Sequence, residues 1–440
     1  MNTTDKQAVT ALGTDSQTCF VRTVTLGDDF DFAKPQLTTD RANVFFDRVE
    51  QLFGEHGIAS RTFRLTSPPL DQFFPGDWDD SGTPEQISHF GQAVEKGLTQ
   101  AWFCLAGPQF LSPGDNIDKL DYIVPLLRDT EHVFTNTMVS SSAGVHIDAI
   151  KKSAGIVRKL ATVCEKSQAN FRFAVMSNVK ANAPYFPASY HQGKRGFSVS
   201  LELAELANQV FAQDKNFDLL LAEFSTLLAQ KAAPVVAACQ TIAADQQVEF
   251  KGIDFSLAPF PGEGTSVMTA LESLSGAKGG QFDMQFPLYA VNQVLKTVLP
   301  DCPRVGFNGS MFSVLEDNCL AERVGQGLVG VKDLLSYATV CGCGLDMVPV
   351  ALETREDKMA ALMLSVSTLA MKWDKPLLTR LVPGSTCEDG LTKMNHDFLV
   401  NTQPIKLNPA DFSFCAPQFT QSFYRNTSLF SSGQPIKGNE

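Results

Sequence analysis

Apolar and polar positions alternate along the chain in a pattern that predicts strands and helices in turn. Val21–Leu26 and Arg61–Leu65 are rich in β-branched residues or alternate in polarity, which is typical of strands. A helix is predicted around 40–56, between these two strands. From Ile147 to Cys164 apolar residues recur every three or four positions, which predicts an amphipathic helix with one buried face. Strands that alternate with helices favour an α/β protein with a largely parallel sheet covered by helices.

The same pattern continues to about residue 410. Further strands are predicted at 171–176, 253–258, 305–314, 337–341 and 377–382, and further helices at 199–243, 286–298 and 356–372. Another helix is expected after Thr265 or Ser266, which can cap its start, and before Gly276, which can end it. There is no internal repeat and no flexible linker, so we predict a single domain over 19–415. Polar tails are expected over 1–18 and 416–440.

Composition and charge restrict the class of protein. The 440 residues carry a net charge of −12, with no Lys/Arg cluster, which argues against a nucleic-acid partner. The polar start lacks the apolar segment of a signal peptide, and no run approaches the ~20 apolar residues of a membrane span. Ten dispersed cysteines indicate free thiols in a reducing compartment. We therefore expect a cytoplasmic protein with a small-molecule ligand, no nucleic acid and no membrane partner; a homo-oligomer is left open, because the sequence does not give the oligomeric state.

The segment 336–346 holds the densest chemistry in the chain. Cys341 and Cys343 alternate with glycines and are followed by Asp346. A thiol can act as a nucleophile, a redox group or a soft metal ligand. The alternative is that both cysteines are small buried apolar residues, since free cysteine is among the most buried residue types.

A second segment, 182–193, places His191 beside Tyr190, two prolines and other aromatic residues. It follows the predicted strand at 171–176, and residues beyond the carboxyl end of a parallel strand line the ligand crevice of α/β sheets. A histidine there can transfer protons near neutral pH. A purely structural histidine is the alternative.

Two further segments carry carboxylates after predicted strands. Asp254 and Ser256 precede a glycine-rich turn and a helix start, which is a site for anions, although they can equally cap turns. Asn308 lies within the strand predicted at 305–314, and the adjacent carboxylates Glu316 and Asp317 follow it. Adjacent residues on a strand point to opposite faces, so only one of the two carboxylates is expected to face a given pocket. Capping of a nearby helix is the alternative for Asp317.

Seven of these residues are predicted at strand ends: His191, Asp254, Glu316, Asp317, Cys341, Cys343 and Asp346. If the strands are parallel, their carboxyl ends meet at one edge of the sheet and bring these residues together. One His with carboxylates and thiols leaves a metal site open, but no HExxH or paired CxxC spacing supports it, so no metal ligand is assigned. The sequence identifies no cofactor.

Four ordered motifs make the chain similar to the DUF711 family, also called UPF0210, whose members are largely uncharacterised. They are Pro184-Tyr-Phe-Pro-Ala-Ser-Tyr-His191, Gly252-Ile-Asp254-Phe-Ser-Leu-Ala-Pro259, Val314-Leu-Glu316-Asp317 and Val340-Cys341-Gly-Cys-Gly344-Leu-Asp346. The resemblance runs from about 20 to 410.

The resemblance implies a fold like that of the glycyl radical enzymes such as pyruvate formate-lyase, an α/β barrel of about ten strands with outer helices. In those enzymes a loop inside the barrel carries the working cysteine, and Cys341 matches that place better than Cys343. Radical chemistry is not implied, because the end of the chain reads Ser431-Ser-Gly-Gln-Pro-Ile-Lys-Gly438 and lacks the glycyl radical segment. A fold can persist after its chemistry is lost.

Three hypotheses follow. In the first, a cytosolic enzyme acts on a small anionic metabolite: Cys341 is nucleophile or acid/base, His191 its proton partner, and Glu316 or Asp346 the orienting carboxylate. Substrate binding then falls to a second set of side chains, which comprises Asp254, Ser256, Tyr190, Asn308 and Asp317. In the second, the protein binds or senses a metabolite without chemistry. In the third, it is a metal-dependent enzyme that uses His191 and carboxylates.

Overall fold

A computed structural model of the chain describes residues 19–163, 168–384, 386–394, 396–409, 412 and 421–426. The tail expected over 1–18 lies outside these residues. Of the tail expected over 416–440, only 421–426 are described, and they contain a short strand that pairs with the sheet.

The described residues form an α/β structure with eleven strands. The strands are β1 (Cys19–Gly27), β2 (Ile58–Thr66), β3 (Ala101–Leu105), β4 (Val133–Ser141), β5 (Gly144–His146), β6 (Phe173–Ser177), β7 (Gly196–Leu201), β8 (Glu249–Asp254), β9 (Gly344–Ala351), β10 (Leu377–Gly384) and β11 (Phe423–Arg425). The helices are α1 (Pro35–Glu55), α2 (Thr83–Gly97), α3 (Ile123–Arg128), α4 (Ile147–Val163), α5 (Gln168–Phe171), α6 (Ala204–Phe211), α7 (Phe217–Gln246), α8 (Val267–Ser275), α9 (Gln285–Thr297), α10 (Asn318–Gly325), α11 (Val331–Ala338) and α12 (Glu356–Trp373). The predicted α/β class and strand number are confirmed.

All strands belong to one mixed sheet. Its order is β8-β7-β1-β2-β3-β4-β6-β10-β9, and β5 pairs with β4 and β11 off this path. The central strands β1, β2, β3, β4 and β6 are parallel, whereas β7 and β10 pair antiparallel with β1 and β6. The carboxyl ends of the strands therefore point to two opposite edges. The predicted convergence of all strand ends on one edge is for this reason wrong.

The segment 304–313 lies between the two edge strands of the sheet. Arg304 bridges to Ile253 in β8, Ser310 to Leu257 just beyond it, and Ser313 to Asp346 in β9. These are single bridges, and no continuous ladder joins β8 to β9 in the described part of the chain. The strand predicted over 305–314 is therefore wrong. Gly306 (φ 75°) and Asn308 (φ 50°) adopt left-handed conformations there, which interrupt an extended backbone.

The two faces of the sheet have different partners because side chains alternate along each strand. Phe63 and Leu65 of β2 belong to the main hydrophobic core, together with the buried faces of the helices. Arg64, between them, lies on the opposite face. That inner face is covered by the loop after β6 and by the segment 304–316, which together form two smaller apolar clusters around Tyr185 and Phe186.

The thiol segment follows a helix rather than the strand predicted over 337–341. Val331, Leu334, Leu335 and Ala338 repeat with helical spacing, and the Gly330 N–H donates to Asp333 Oδ2 at 2.8 Å at the helix start. The helical spacing of the apolar residues before it therefore decided the structure, and the short β-branched run does not form a strand. The strand begins only at Gly344.

The caps predicted around α8 are confirmed. Ser266 Oγ accepts a hydrogen bond from the Thr269 N–H at 2.9 Å. Gly276 follows the last turn with φ 71°, a conformation that favours glycine.

One helix of the described residues, α7, is long and apolar enough to cross a membrane by length and composition. It contains Pro234, and Leu220, Phe224, Leu228 and Ile242 on one of its faces are buried in the main core. This arrangement is typical of a helix that packs on the sheet of a globular α/β protein.

Candidate ligand-binding site

A small cavity of about 50 Å³ lies on the inner face of the sheet, between β1, β2, β10 and the two covering segments. Its charged lining residues are Arg22, Arg61, Arg64, Arg380, Glu316 and Asp346, and Cys343 and Ser313 also line it. Eight aromatic residues complete much of the wall: Trp102, Phe134, Phe171, Tyr185, Phe186, Phe260, Phe307 and Phe398. Four arginines in one recess of a protein with a net charge of −12 make this the positive centre of the inner face.

Three of the arginines are neutralised by carboxylates. Arg380 donates to both oxygens of Asp346 and, at 2.9 Å, to Glu316. Arg22 donates to Glu202 at 2.9 Å and lies 3.7 Å from Glu316. Nearly all of these side chains are buried, so the pairs hold each guanidinium in one orientation.

Arg61 completes the set at the half-buried side of the cavity. Its Nε donates to Glu202 at 3.3 Å, and its guanidinium lies over the Phe260 ring, 3.9 Å from the ring centroid. Glu202 thus serves two arginines, although it does not itself line the cavity.

Arg64 differs from the other three. It is only 9% exposed, and no carboxylate lies within 4.0 Å of it among the described residues. Its Nη1 donates to the Pro184 carbonyl at 3.2 Å, while its Nε–H has no hydrogen-bond partner in that part of the chain. Burial, and the neighbouring Arg22, lower the pKa of Arg64 to about 9. It is therefore a protonated, buried and unpaired cation at neutral pH.

The loop after β6 positions Arg64. The Pro184 carbonyl accepts from Arg64 and also from Thr25 Oγ1 at 2.8 Å, which fastens the loop to β1 and β2. Phe186 and Trp102 place their rings beside the guanidinium, with centroids 5.2 and 5.7 Å from it. These cation–π contacts orient the side chain without neutralising its charge.

Asp254 and Ser256, predicted to bind substrate, instead hold the second covering segment, 304–316, in place through hydrogen bonds. The buried Asp254 carboxylate accepts from Ser256 Oγ (2.6 Å), the Phe307 N–H (2.8 Å) and the Asn308 N–H (3.0 Å). Burial raises the pKa of Asp254, and the hydrogen bonds oppose that effect. Asn308 likewise fixes the turn, since its Oδ1 accepts from the Phe255 N–H at 3.1 Å. None of the three side chains lines the cavity.

Asp317 joins two helices. Its carboxylate caps α10 by accepting from the Leu320 N–H (3.0 Å), and it accepts from Ser266 Oγ (2.6 Å) and the Val267 N–H (2.8 Å) at the start of α8. The capping alternative considered for this residue therefore describes its contacts. The neighbouring Glu316 faces the cavity, in agreement with the expectation that only one of the pair does so.

His191 and Tyr190 lie outside the cavity lining. His191 is fully buried against Gly27; its Nδ1 is 3.3 Å from Asn182 Oδ1 and its Nε2 is 3.9 Å from Asp29. Burial lowers its pKa. The Tyr190 hydroxyl donates to the Val179 carbonyl at 3.2 Å. The structure thus does not join His191 to Glu316.

The two thiols separate as well. Cys341 is buried in the main core, where its carbonyl accepts from Lys375, and burial raises its pKa. Cys343 reaches the cavity, and its Sγ accepts from the Phe312 N–H at 3.3 Å. Burial raises the pKa of Cys343 as well. The predicted grouping of Cys341, His191 and Glu316 is therefore not formed around this cavity.

Of the predicted site residues, Glu316 and Asp346 line the cavity; the four arginines were missed. The sequence did hold a signal for three of these arginines. Arg22, Arg64 and Arg380 each lie in a strand that is otherwise largely apolar or β-branched. Arginine is almost never buried without a partner, so such positions indicate an ion-pair network or a ligand. In the described part of the chain, no group of three or more His, Cys, Asp or Glu side chains is arranged to hold a metal ion.

Comparison with known proteins identifies relatives along most of the chain. The family model described as "Uncharacterised ACR (DUF711)" matches residues 14–391. A UPF0210 protein of Pyrobaculum aerophilum is 29% identical over 352 residues, 76% of each chain. One of Methanocaldococcus jannaschii is 23% identical over 82% of this chain and 85% of the relative. The match to a UPF0210 protein of Pyrobaculum arsenaticum, 28% identical, spans 60% of either protein, less than two thirds of that relative's length.

Two solved structures of anaerobic ribonucleotide reductases are distantly similar. One aligns with a TM-score of 0.35 and 8% identity over 86% of this chain and 72% of the other. The other, from Thermotoga maritima, has a TM-score of 0.34 and 8% identity over 82% of this chain and 80% of the other. Likeness at this level carries no argument about what the chain binds or does.

Proposed function

Because the chain belongs to the DUF711 family, whose description names no activity, we propose a function from the cavity itself: the protein binds a small anionic metabolite beside Arg64. The observation that carries this proposal is the unpaired buried charge of Arg64. A buried cation without a counter-ion costs several kcal/mol in an apolar surrounding, by rough estimate. An anion in the cavity would offset that cost and accept the free Nε–H.

The other three arginines support the proposal by contrast. Glu202, Glu316 and Asp346 pair with Arg22, Arg61 and Arg380, so the network needs no ligand at those positions. Only Arg64 is left with a charge to satisfy. The ion pairs of Arg22 and Arg380 are largely buried and hydrogen-bonded, which favours a site organised before the ligand arrives.

An enzyme that works by acid–base chemistry is the form of this function that we favour. Glu316 lines the cavity and is the carboxylate there that is partly open to solvent. It can exchange a proton with a bound anion, while Arg22 and Arg380 hold it in place. Thiolate chemistry has less support, because burial raises the pKa of both Cys343 and Cys341 and keeps them protonated at neutral pH. We place the enzyme in the cytoplasm.

A metabolite-binding protein without chemistry is the second candidate. It is favoured by the observation that both carboxylates lining the cavity, Glu316 and Asp346, are already paired with arginine. Their oxygens already accept hydrogen bonds from Arg380, which leaves fewer lone pairs to take a proton from a ligand.

The test is thermal unfolding of the wild-type protein and of Arg64→Met with formate, acetate, benzoate, phosphate and sulfate. We expect at least one anion to raise the Tm of the wild type and not that of Arg64→Met. Without anions, Arg64→Met should unfold at a higher temperature than the wild type, because it removes an uncompensated buried charge. Arg355→Met, at an exposed arginine of the α12 start, is the matched control and should keep the wild-type response.

Anion stabilisation that is equal in Arg64→Met and the wild type would contradict the proposal. For the choice between the two forms, any stabilising anion is incubated with the protein and followed by NMR. Turnover that disappears in Glu316→Gln supports the enzyme; binding without turnover supports the non-catalytic protein.

A further inference from the structure

We propose that the exposed face of α7, together with the aromatic residues beside its first turn, is the contact surface of a symmetric dimer of this chain. The partner is a second copy, placed by a two-fold axis so that the two α7 helices pack antiparallel. The proposal concerns a surface and does not depend on the anion site. Four properties of the surface lead to it: its apolar character, its lack of charge, its shape and its area.

Helix α7 exposes an apolar face at the protein surface. The helix is apolar enough to cross a membrane by composition, yet only 28% of its most apolar stretch is buried in the fold. Ten residues between 219 and 244 are exposed and none of them is charged: Leu219, Ala222, Thr226, Gln230, Ala233, Pro234, Ala237, Gln240, Thr241 and Ala244. The solvent side of a surface helix normally carries charged residues. A face without them indicates a surface that a partner covers.

The neighbouring helix α1 shows the usual pattern of a surface helix. It packs against α7, and its exposed positions include Asp40, Arg41, Asp47, Glu50 and Glu55. On α7, Glu223 lies beside the exposed face by helical spacing. This side chain is partly buried, and it accepts hydrogen bonds from Lys215 and, at 3.3 Å, from Gln213. The lack of exposed charge is therefore a property of α7 and not of the whole surface.

Exposed aromatic residues extend this face beside the first turn of α7. Phe286 of α9 stacks on Phe217 of α7 with ring centroids 5.9 Å apart, and it is 67% exposed. Phe282, just before α9, is 97% exposed, and Tyr289 is exposed one helical turn after Phe286. Exposure of large apolar side chains is costly, and aromatic residues are enriched at protein interfaces. These rings therefore belong to the same contact surface as Leu219.

The lack of charge favours a second copy of the chain as the partner. The protein has a net charge of −12, so two copies repel each other unless they meet through a neutral surface. A two-fold axis also brings each residue near its own counterpart, where like charges are destabilising. A helix that lies on a membrane instead carries Lys and Arg along its polar side, whereas the basic residues of α7 amount to Lys231 alone.

The shape of the face suits antiparallel packing. Its start is bulky, with Leu219 and the three exposed rings, whereas small side chains form its end at Ala237, Thr241 and Ala244. Antiparallel packing about a two-fold axis places the bulky start of one copy over the small end of the other. Small side chains allow the axes of two helices to approach to about 8–10 Å. The two-fold axis then passes near Gln230, close to the middle of the face.

The available area is that of a stable dimer. The exposed face of α7 is about 40 Å long, at 1.5 Å of rise per residue, and a helix is about 10 Å wide. Three exposed rings of roughly 150–250 Å² each enlarge it at one end. Together they offer on the order of 800 Å² per copy, which is what each partner buries in an interface of standard size.

Sedimentation velocity of the full chain over about 0.1–100 μM tests the proposal. We expect the wild type to sediment with twice the 47.9 kDa of one chain. Thr226→Glu introduces a charge into the face and should raise the Kd of the dimer roughly ten-fold or more. Phe282→Ser removes one exposed ring and should raise it about three-fold or more.

Thr368→Glu in α12 is the matched control. Both threonines are exposed, and each hydroxyl donates to the carbonyl four residues earlier: Thr226 to Ala222 at 2.9 Å and Thr368 to Leu364 at 2.8 Å. The two substitutions therefore change the helix in the same way, and only one of them lies in the proposed surface. We expect Thr368→Glu to keep the wild-type Kd. Circular dichroism of each variant checks that it is folded.

Gln230→Cys tests the antiparallel arrangement, because it places a cysteine near the two-fold axis. We expect mild oxidation to join two chains of this variant through a disulfide. Two chains of Thr368→Cys should not be joined. The wild type controls for cross-links through native cysteines such as the exposed Cys387.

A wild-type protein that remains monomeric at the highest concentration overturns the proposal, and so does a dimer that Thr226→Glu and Thr368→Glu weaken equally. If Thr226→Glu weakens the dimer but Gln230→Cys forms no cross-link, the antiparallel arrangement is overturned. A monomer that floats with phosphatidylcholine vesicles assigns the face to a membrane and also overturns the dimer. The anion site beside Arg64 is tested separately, by thermal unfolding with anions.

Discussion

The guanidinium of Arg380 in β10 donates to both carboxylate oxygens of Asp346 in the adjacent parallel strand β9, and its Nη2–Oδ2 distance is 2.8 Å. Both side chains are about 6% exposed. Both residues line the cavity, and the same guanidinium also donates to Glu316. Loss of the Arg380–Asp346 ion pair would therefore affect both the sheet and the cavity.

Asp346→Asn should destabilise the fold by about 3–5 kcal/mol, the range found when one partner of a buried ion pair is removed. Urea unfolding measures the change. Asp148→Asn, in the exposed pair with Lys151, is the matched control and should change the free energy of unfolding by less than about 1 kcal/mol. Equal effects of the two substitutions would show that the Arg380 pair is not a buried one.

Gly27→Ala should destabilise the protein by about 1–3 kcal/mol through overpacking. A Cβ at Gly27 would lie 2.4 Å from His191 Nδ1 and 2.8 Å from its Cγ. The double variant Gly27→Ala with His191→Ala should therefore lose less stability than the sum of the single variants. Gly54→Ala, in α1 with nothing within 4 Å of the new Cβ, should be stabilising by about 0.5–1 kcal/mol. Strict additivity of Gly27→Ala and His191→Ala would argue against the contact between a Cβ at position 27 and the His191 ring.

Glu272 should stabilise the folded protein at neutral pH and lose this contribution at low pH. Its burial raises its pKa, but hydrogen bonds from Arg323 (2.8 and 2.9 Å) and from the Gly279 N–H (2.9 Å) outweigh this and lower the pKa of Glu272 to about 2. A carboxyl with a lowered folded-state pKa stabilises the fold above its unfolded value near 4.5, and that contribution is lost as the pH falls towards 2. Glu272→Gln should thus be less stable than the wild type by about 1–3 kcal/mol at pH 7.

The difference between wild type and Glu272→Gln should shrink between about pH 4.5 and 2. Urea unfolding at a series of pH values, with Glu322→Gln on the exposed side of Arg323 as control, measures it. A difference that stays constant with pH would contradict the assignment.

Cys341 and Cys343 should resist alkylation in the folded protein. Burial raises the pKa of both thiols, so little thiolate exists at pH 7.5. Exposed Cys387 should react with iodoacetamide at least a hundred-fold faster than either. Peptide mapping by mass spectrometry gives the rates, and denatured protein is the control in which all three react. Rapid labelling of Cys341 in the folded protein would contradict this prediction and support Cys341 as a nucleophile.

The apolar pattern of the sequence determined most of the secondary structure, including β1, β2, α4, α8 and the α/β class. It did so because one buried face per element leaves a periodic trace in the chain. The four motifs also identified the family. The motif residues, however, had two meanings that the sequence could not separate: Asp254 and Asp317 are buried acceptors that fasten loops and helix starts, while Glu316 faces the cavity.

Tertiary structure alone decided which side chains share the site. The antiparallel pairing of β7 with β1 and of β10 with β6 sends strand ends to opposite edges, so residues at strand ends do not meet. Residues within strands meet instead. Arg22 in β1, Arg64 in β2 and Arg380 in β10 line the same cavity, although they lie far apart in the sequence. Whether the charge of a buried arginine is neutralised depends on whether a carboxylate lies within a few ångströms. That distance is a property of the folded chain, and it is what distinguishes Arg64 from its neighbours.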